Sequence, residues 1–225
     1  MADSRLGDTA AMSRLSVTEI YASIQGESRH AGRPCTFVRL AGCPLRCRWC
    51  DTEYSFAAGE RLGIAAIIER VRQLGVPLVE VTGGEPLAQP ACAPLLQALC
   101  EAGFEVLLET SGAYPLDRLD PRVTVIADLK CPGSGEAERN LWPALRNLRP
   151  TDDLKIVVAS REDFDWARAR LDDQLAGQQA TVLWSAVWGE VALADLAAWI
   201  LASRAPGRMQ VQLHKIIWPD RDRGV

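Results

Sequence analysis

Three cysteines stand close together in the run Cys43-Pro44-Leu45-Arg46-Cys47-Arg48-Trp49-Cys50-Asp51-Thr52. Their C-x3-C-x2-C spacing fits one tight loop, so all three thiols can reach a single compact metal centre. Thiolates are soft ligands that select zinc, copper(I) or an iron–sulfur cluster. A closed structural zinc site needs a fourth Cys or His at short spacing. Here the two histidines, His30 and His214, lie outside the loop, and the next cysteine is Cys92. A 4Fe–4S cluster ordinarily takes four cysteines. Three would leave one iron open to a ligand that is not protein.

Other chemistry-bearing residues are scattered along the chain. In Gln25-Gly26-Glu27-Ser28, polar side chains flank a glycine. The stretch reads either as a solvated hairpin tip or as a loop whose backbone approaches a ligand closely. Arg39 sits in the strand-like run Pro34–Leu40, where alternation puts Cys35, Phe37 and Arg39 on one face. An arginine on a strand buried on both faces needs an anionic partner, which is either a substrate or a neighbouring carboxylate. Gly83-Gly84-Glu85-Pro86 follows another strand; its glycines allow backbone to lie against a ligand, and Glu85 has the charge to receive an amine. Taken alone, it is also an ordinary turn into a helix.

The elements that must hold these residues alternate. Extended runs at 17–24, 34–40, 78–81, 104–108, 123–127, 154–158, 181–184 and 209–213 are separated by helical patterns at 64–74, 90–102, 136–148, 161–171 and 191–203. Gly75 and Pro77 stop the first of these helices. Strand–helix alternation predicts parallel pairing with right-handed crossovers, in an open doubly wound sheet or in a partial barrel. Both put functional loops at strand C-termini. The sequence after each strand agrees: the cysteine loop, then Thr82-Gly83-Gly84-Glu85-Pro86, Glu109-Thr110-Ser111-Gly112, Asp128-Leu129-Lys130, and finally His214-Lys215. Cys92 and Cys100 share an apolar helical stripe with Leu95, Leu96 and Leu99, which marks them as small core residues. Trp142, Trp166 and Trp199 read as packing residues, and His214 on its own as a structural histidine.

Composition narrows the class. At 225 residues the chain is long enough for one domain with a large core; residues 1–14 read as a flexible leader and 15–225 as the domain. Seven cysteines without a framework spacing fit a reducing, cytoplasmic setting. A net charge of -4 with no dense Lys/Arg block argues against a nucleic-acid footprint. No apolar run is long enough for a membrane helix or a signal core.

Cys43, Cys47 and Cys50, with Trp49 beside the last and Gly83-Gly84-Glu85-Pro86 after the next strand, resemble the radical S-adenosylmethionine superfamily. Within it, Ser23-Ile24-Gln25-Gly26-Glu27, Phe37–Cys43, Cys50-Asp51-Thr52, Glu109–Gly112, Asp128–Lys130 and Gln212-Leu213-His214-Lys215 resemble the 7-carboxy-7-deazaguanine synthases. The resemblance implies an α/β fold, a partial TIM-like barrel of mostly parallel strands with outer helices. It also implies a lyase of queuosine and 7-deazapurine biosynthesis that turns 6-carboxy-5,6,7,8-tetrahydropterin into 7-carboxy-7-deazaguanine and ammonia. Its cofactors would be a 4Fe–4S cluster on Cys43, Cys47 and Cys50, S-adenosylmethionine near Trp49, Gly84, Glu85, Glu109, Ser111 and Lys130, and Mg2+ at Thr52. The pterin would lie against Ile24, Gln25, Gly26, Glu27, Arg39, Thr82 and His214. A homodimer and an electron donor such as flavodoxin or ferredoxin are further implications. Ser28 departs from the glycine many relatives carry. Two rival readings share the cysteine loop: an activase that makes a glycyl radical on a partner protein, and a zinc-binding module without catalysis.

Overall fold

The computed structural model describes residues 14–225, so the expected leader lies, but for Arg14, outside the described residues. Nine strands form one sheet, with β1 at Arg14–Ile24, β2 at Pro34–Leu40, β3 at Glu60–Gly63, β4 at Leu78–Gly83 and β5 at Glu105–Thr110. The others are β6 at Thr124–Leu129, β7 at Asp153–Val158, β8 at Thr181–Ala186 and β9 at Arg208–Met209. Their order is β3-β1-β2-β4-β5-β6-β7-β8-β9. From β2 to β9 every pairing is parallel, whereas β1 runs antiparallel to both β2 and β3. β3 and β9 remain edges, so the barrel is partial, as the resemblance implied.

Helices α1 (Ile64–Leu74), α2 (Cys92–Glu101), α3 (Trp142–Arg146), α4 (Arg161–Asp172), α5 (Leu193–Ser203) and α6 (Leu213–Ile217) complete the fold. The convex face of the sheet buries Val38, Leu40, Val79, Val81, Val106 and Leu108 against Ile67, Val71 and the α2 stripe, in which Cys92 and Cys100 are core residues. Further along, Val125, Ala127, Leu154, Ile156 and Trp184 pack on Phe164, Ala167 and Leu196. The concave face divides by height. Cys35, Phe37, Leu78, Leu107 and Ile126 form an apolar floor. One side-chain period higher, the same strands present Arg39, Glu80, Glu109 and Asp128, and β7 adds Lys155. Alternation thus seals one end of the barrel and makes the other polar.

Two expected elements differ. The strand expected at 209–213 is only Arg208–Met209, and the chain then turns into α6. Gln210 still donates its N–H to Trp184 O, but Leu213 donates to Gly26 O instead of to β8. The helix expected at 136–148 is a 3-10 turn, Ala137–Arg139, followed by short α3. Asn140 breaks it by clamping the backbone of Lys130 from both sides, and Pro143, with no N–H to donate, suits the first turn of a new helix. Strand β3 was not expected at all. Among the described residues no helix is long and apolar enough to cross a membrane.

Candidate active site

The cysteine loop leaves the C-terminal end of β2 and is pinned at its base by the loop after β4. Gly84 donates to Leu40 O at 3.0 Å and Glu85 to Gly42 O at 2.9 Å. A Cβ on Gly84 would stand 2.1 Å from Gly42 O, and one on Gly83, at φ 136°, 2.1 Å from Leu40 O. The glycine pair therefore admits the backbone of the cysteine loop. Arg46 donates to Cys43 O at 2.7 Å, and Arg48 N–H bonds Ser134 O at 3.0 Å, tying the loop to the segment after β6. The Arg48 guanidinium lies over Trp49 and pairs with Glu190.

Cys43, Cys47 and Cys50 are all free thiols of intermediate exposure, while Cys35, Cys92, Cys100 and Cys131 are buried. No three His, Cys, Asp or Glu side chains among the described residues converge on one point as the ligands of a single ion would. Three accessible thiols on one loop with no fourth protein ligand suit a cluster with an open iron. Burial raises the Cys43 and Cys47 thiols, while the Lys130 ammonium nearby acts in the opposite sense.

Glu85 was expected to receive a cationic amine, and the geometry gives it another task. Fully buried, its carboxylate accepts Leu87 N–H at 2.8 Å, Ser111 N–H at 2.7 Å, and the Thr110 and Ser111 hydroxyls. Its acceptors are thus occupied by the chain itself. Glu85 and Ser111 brace the ends of β4 and β5 against each other.

Within the polar half of the barrel, Lys155 is the hub. Its Nζ lies 3.0 Å from Glu27 and 3.4 Å from Asp128, and it bonds Glu109. Thr82 donates to the other Glu109 oxygen at 2.8 Å. Asp128 pairs with Lys130 at 2.6 Å. Burial opposes ionisation of Glu27, Asp128 and Lys155, but Lys155 holds Glu27 low, Lys130 and Lys155 hold Asp128 low, and Asp128, Glu109 and Glu27 hold Lys155 well above the usual lysine value. Glu80 differs: burial first, and the Glu109 charge second, push it up to about 8.

The loop after β1 closes the assembly. Gln25 accepts Glu27 N–H and donates its amide to Glu80. Ser28 stands at φ 60°, the left-handed region that glycine takes freely, and its N–H is held by Gln210 at 2.8 Å. Gly26 is required by its neighbour, since a Cβ there would lie 2.5 Å from His214 Nδ1. Gln212 donates to Glu27 at 2.9 Å and reaches Asp51 at 3.4 Å, and Lys215 pairs with Asp51 at 2.9 Å. Arg39 is matched by Glu19 and by the Tyr21 hydroxyl, both at 2.9 Å. Burial alone would lower its pKa, yet Tyr21, Tyr54 and Glu19 keep it raised. Thr52 opens the turn Glu53–Phe56, with its hydroxyl 3.7 Å from the Cys50 sulfur. Ile24 ends β1.

Sequence reasoning missed Lys155 and Glu80, and quoted Asp51 and Gln212 only within family motifs, without a role of their own. Lys155 and Glu80 carried a readable signal, a charge inside an apolar strand run, the same signal that singled out Arg39. A concavity of about 370 Å³ beyond β8, lined by Ser185, Val187, Trp188, Gln210 and Gln212, adjoins the site. A second, of about 410 Å³, lies outside the barrel between α3 and the β5–β6 connection.

The comparisons with known proteins bear on this arrangement. Residues 37–127 match the model of the radical SAM superfamily. The chain is 46% identical over 214 residues to the 7-carboxy-7-deazaguanine synthase of Chlorobaculum tepidum, spanning 94% of this chain and 97% of that one. It is 38% identical to the synthase of Koribacter versatilis, over 94% and 100% of the two chains. The crystal structure of QueE from Escherichia coli superposes with a TM-score of 0.75 at 21% identity, covering 94% of this chain and 99% of that one, and so shares the fold.

Proposed function

From its membership of the 7-carboxy-7-deazaguanine synthase family, radical S-adenosylmethionine enzymes of the queuosine pathway, we propose that the chain converts 6-carboxy-5,6,7,8-tetrahydropterin to 7-carboxy-7-deazaguanine with loss of ammonia. The observation that carries this reading is the opening of a three-thiol loop and a carboxylate-lined interior at the same end of one barrel. A 4Fe–4S cluster on Cys43, Cys47 and Cys50 would supply the electron for reductive cleavage of S-adenosylmethionine, whose adenosyl fragment is the source of the radical that takes hydrogen from the pterin.

The chain's own residues bind, orient and exclude water. Glu109, expected on the cofactor side, shares Lys155 with Glu27, and both present carboxylate oxygens to the N–H groups of the heterocycle, while Gln25 fixes the backbone of the Glu27 loop. Arg39 commits Nε and one Nη to Glu19 and Tyr21, leaving its other Nη as the nitrogen a substrate carboxylate would meet. Thr82, Ile24, Gly26 and His214 line the same space. Gly84, Trp49 and Lys130 face the cofactor side, with Glu85 and Ser111 holding that wall. Thr52 offers a hydroxyl to Mg2+, a hard cation that keeps waters or substrate oxygens as its other ligands. Arg46 and Arg48, exposed beside the cysteine loop, suit an acidic electron donor such as a flavodoxin or ferredoxin. Exposed Leu193 and Leu201 on α5 support a homodimer.

The test is an anaerobic reaction of the iron-reconstituted protein with S-adenosylmethionine, Mg2+, the carboxypterin, and dithionite or reduced flavodoxin, followed by mass spectrometry. Deazaguanine acid is expected, with loss of product and of iron in Cys50→Ala, and iron retained but pterin binding lost in Glu27→Ala. About one zinc and no iron per chain, or no product from a fully iron-loaded protein, would overturn the reading.

A further inference from the structure

Lys155 lies at the centre of the polar half of the barrel, with its side chain 8% exposed. Its ammonium has three N–H groups, and three carboxylates surround it, each from a different element. Glu27, from the loop after β1, is 3.0 Å away; Glu109 at the end of β5 is bonded directly; Asp128 on β6 is 3.4 Å away. The Asp128 oxygen facing it is buried and has no hydrogen-bond partner, so the Lys155 charge is what compensates it. Lys155 thus hydrogen-bonds Glu27 and Glu109 and faces Asp128 as its third counter-charge.

Without that cation, three partly buried carboxyls would crowd one space. Like charges at close range cannot all ionise, so at least one would hold a proton. A protonated carboxyl donates where a carboxylate accepts. For a heterocycle recognised through its own N–H groups, the exchange puts donor against donor. The surrounding charged groups do not replace Lys155. Lys130 is engaged on the far side of Asp128 and Lys215 on Asp51, Glu80 on β4 adds a further carboxyl, and His214 lies against Gly26.

We propose that Lys155 is the positioning residue of the pterin site, holding the Glu27 and Glu109 carboxylates side by side so that both accept hydrogen bonds from the substrate. The assignment rests on the reading of this site as the pterin site. It separates a residue that reads the substrate from the one that sets its protonation state.

The experiment compares Lys155→Met and Lys155→Arg with the wild type, each anaerobically reconstituted, in iron content, S-adenosylmethionine affinity, pterin Kd, and KM against kcat. In Lys155→Met the pterin Kd rises roughly 10- to 100-fold, the range for losing a hydrogen bond to a charged group, with iron and S-adenosylmethionine binding retained. Its pterin affinity also climbs from about pH 6 to about pH 8, as the extra proton leaves, whereas the wild type lacks that climb. Should Lys155→Met fail to fold, Lys155→Arg decides. It keeps the charge but displaces the carboxylates, so KM rises while kcat stays within a few-fold. Pterin Kd and KM at wild-type values in the folded variants, even with a lowered melting temperature, would make Lys155 a structural ion only and overturn the assignment. A wild-type protein that binds no pterin would instead overturn the functional reading.

Discussion

Glu80 sits where an ionised carboxylate is costly, 2% exposed on the concave face with the Gln25 amide as its partner. Burial, reinforced by Glu109, pushes its pKa up to about 8. Below the ordinary glutamate value of about 4.3, folded and unfolded chains both hold this proton. Between there and about 8 only the folded chain holds it, so this group makes stability fall as pH rises across that window, with the full penalty reached above it. Glu80→Gln, which mimics the protonated acid, should flatten that part of the curve and raise stability at pH 8 by on the order of 2 kcal/mol. Urea melts across a pH series measure it; an unchanged slope would mean that Glu80 ionises freely. At this scale the cysteine loop was legible because its three thiols are neighbours in sequence, so spacing alone puts them on one loop. The partners of the buried charges were not, since Lys155 and Glu27 are 128 positions apart and only strand register unites them.

Elements were legible where local sequence and packing agree. Strand β2 was expected at its observed bounds, and α1 runs to its left-handed Gly75 cap. Elements failed where a competing hydrogen bond draws the chain out of regular structure: the Asn140 amide against a long helix, and the Gly26 carbonyl against a last strand. The Gly83-Gly84 pair was legible as a close approach, but the partner is the cysteine loop's own backbone. Helix α5 raises a different question. Its sequence, LADLAAWILAS, is apolar nearly all round, yet only Leu196 is buried, and Leu201 is 77% exposed. A helix of that character ordinarily has a partner on each face. If the second partner is another copy of this chain, light scattering should give twice the chain mass, and Leu201→Glu should give the monomer with iron content unchanged. A monomeric wild type at micromolar concentration would reject that pairing.

For the molecule as a whole, the unpaired edges decide how the site is closed. A partial barrel leaves a seam between β9 and the antiparallel β1 side, and a polar interior beside an open seam would fill with water. The C-terminal segment crosses it. Gln210 holds Ser28 N–H, Leu213 donates to Gly26 O, and the Tyr21 hydroxyl donates to Val225 O at 3.0 Å. Midway, the single amide of Gln212 meets Glu27 of the β1–β2 loop and Asp51 of the cysteine loop. This one side chain therefore couples the two halves of the site, and its loss should affect them unequally. The cysteine loop keeps its anchors at Leu40, Gly42 and Ser134, so Gln212→Ala should retain full iron content and S-adenosylmethionine affinity. Glu27 loses a neutral donor to a charged acceptor, an interaction worth about 1.5 kcal/mol or more, and pterin affinity should fall about tenfold. Equal pterin affinity in the variant would mean that the seam is closed by backbone alone. A parallel loss of iron would mean that the cysteine loop, too, depends on the C-terminal segment for its shape.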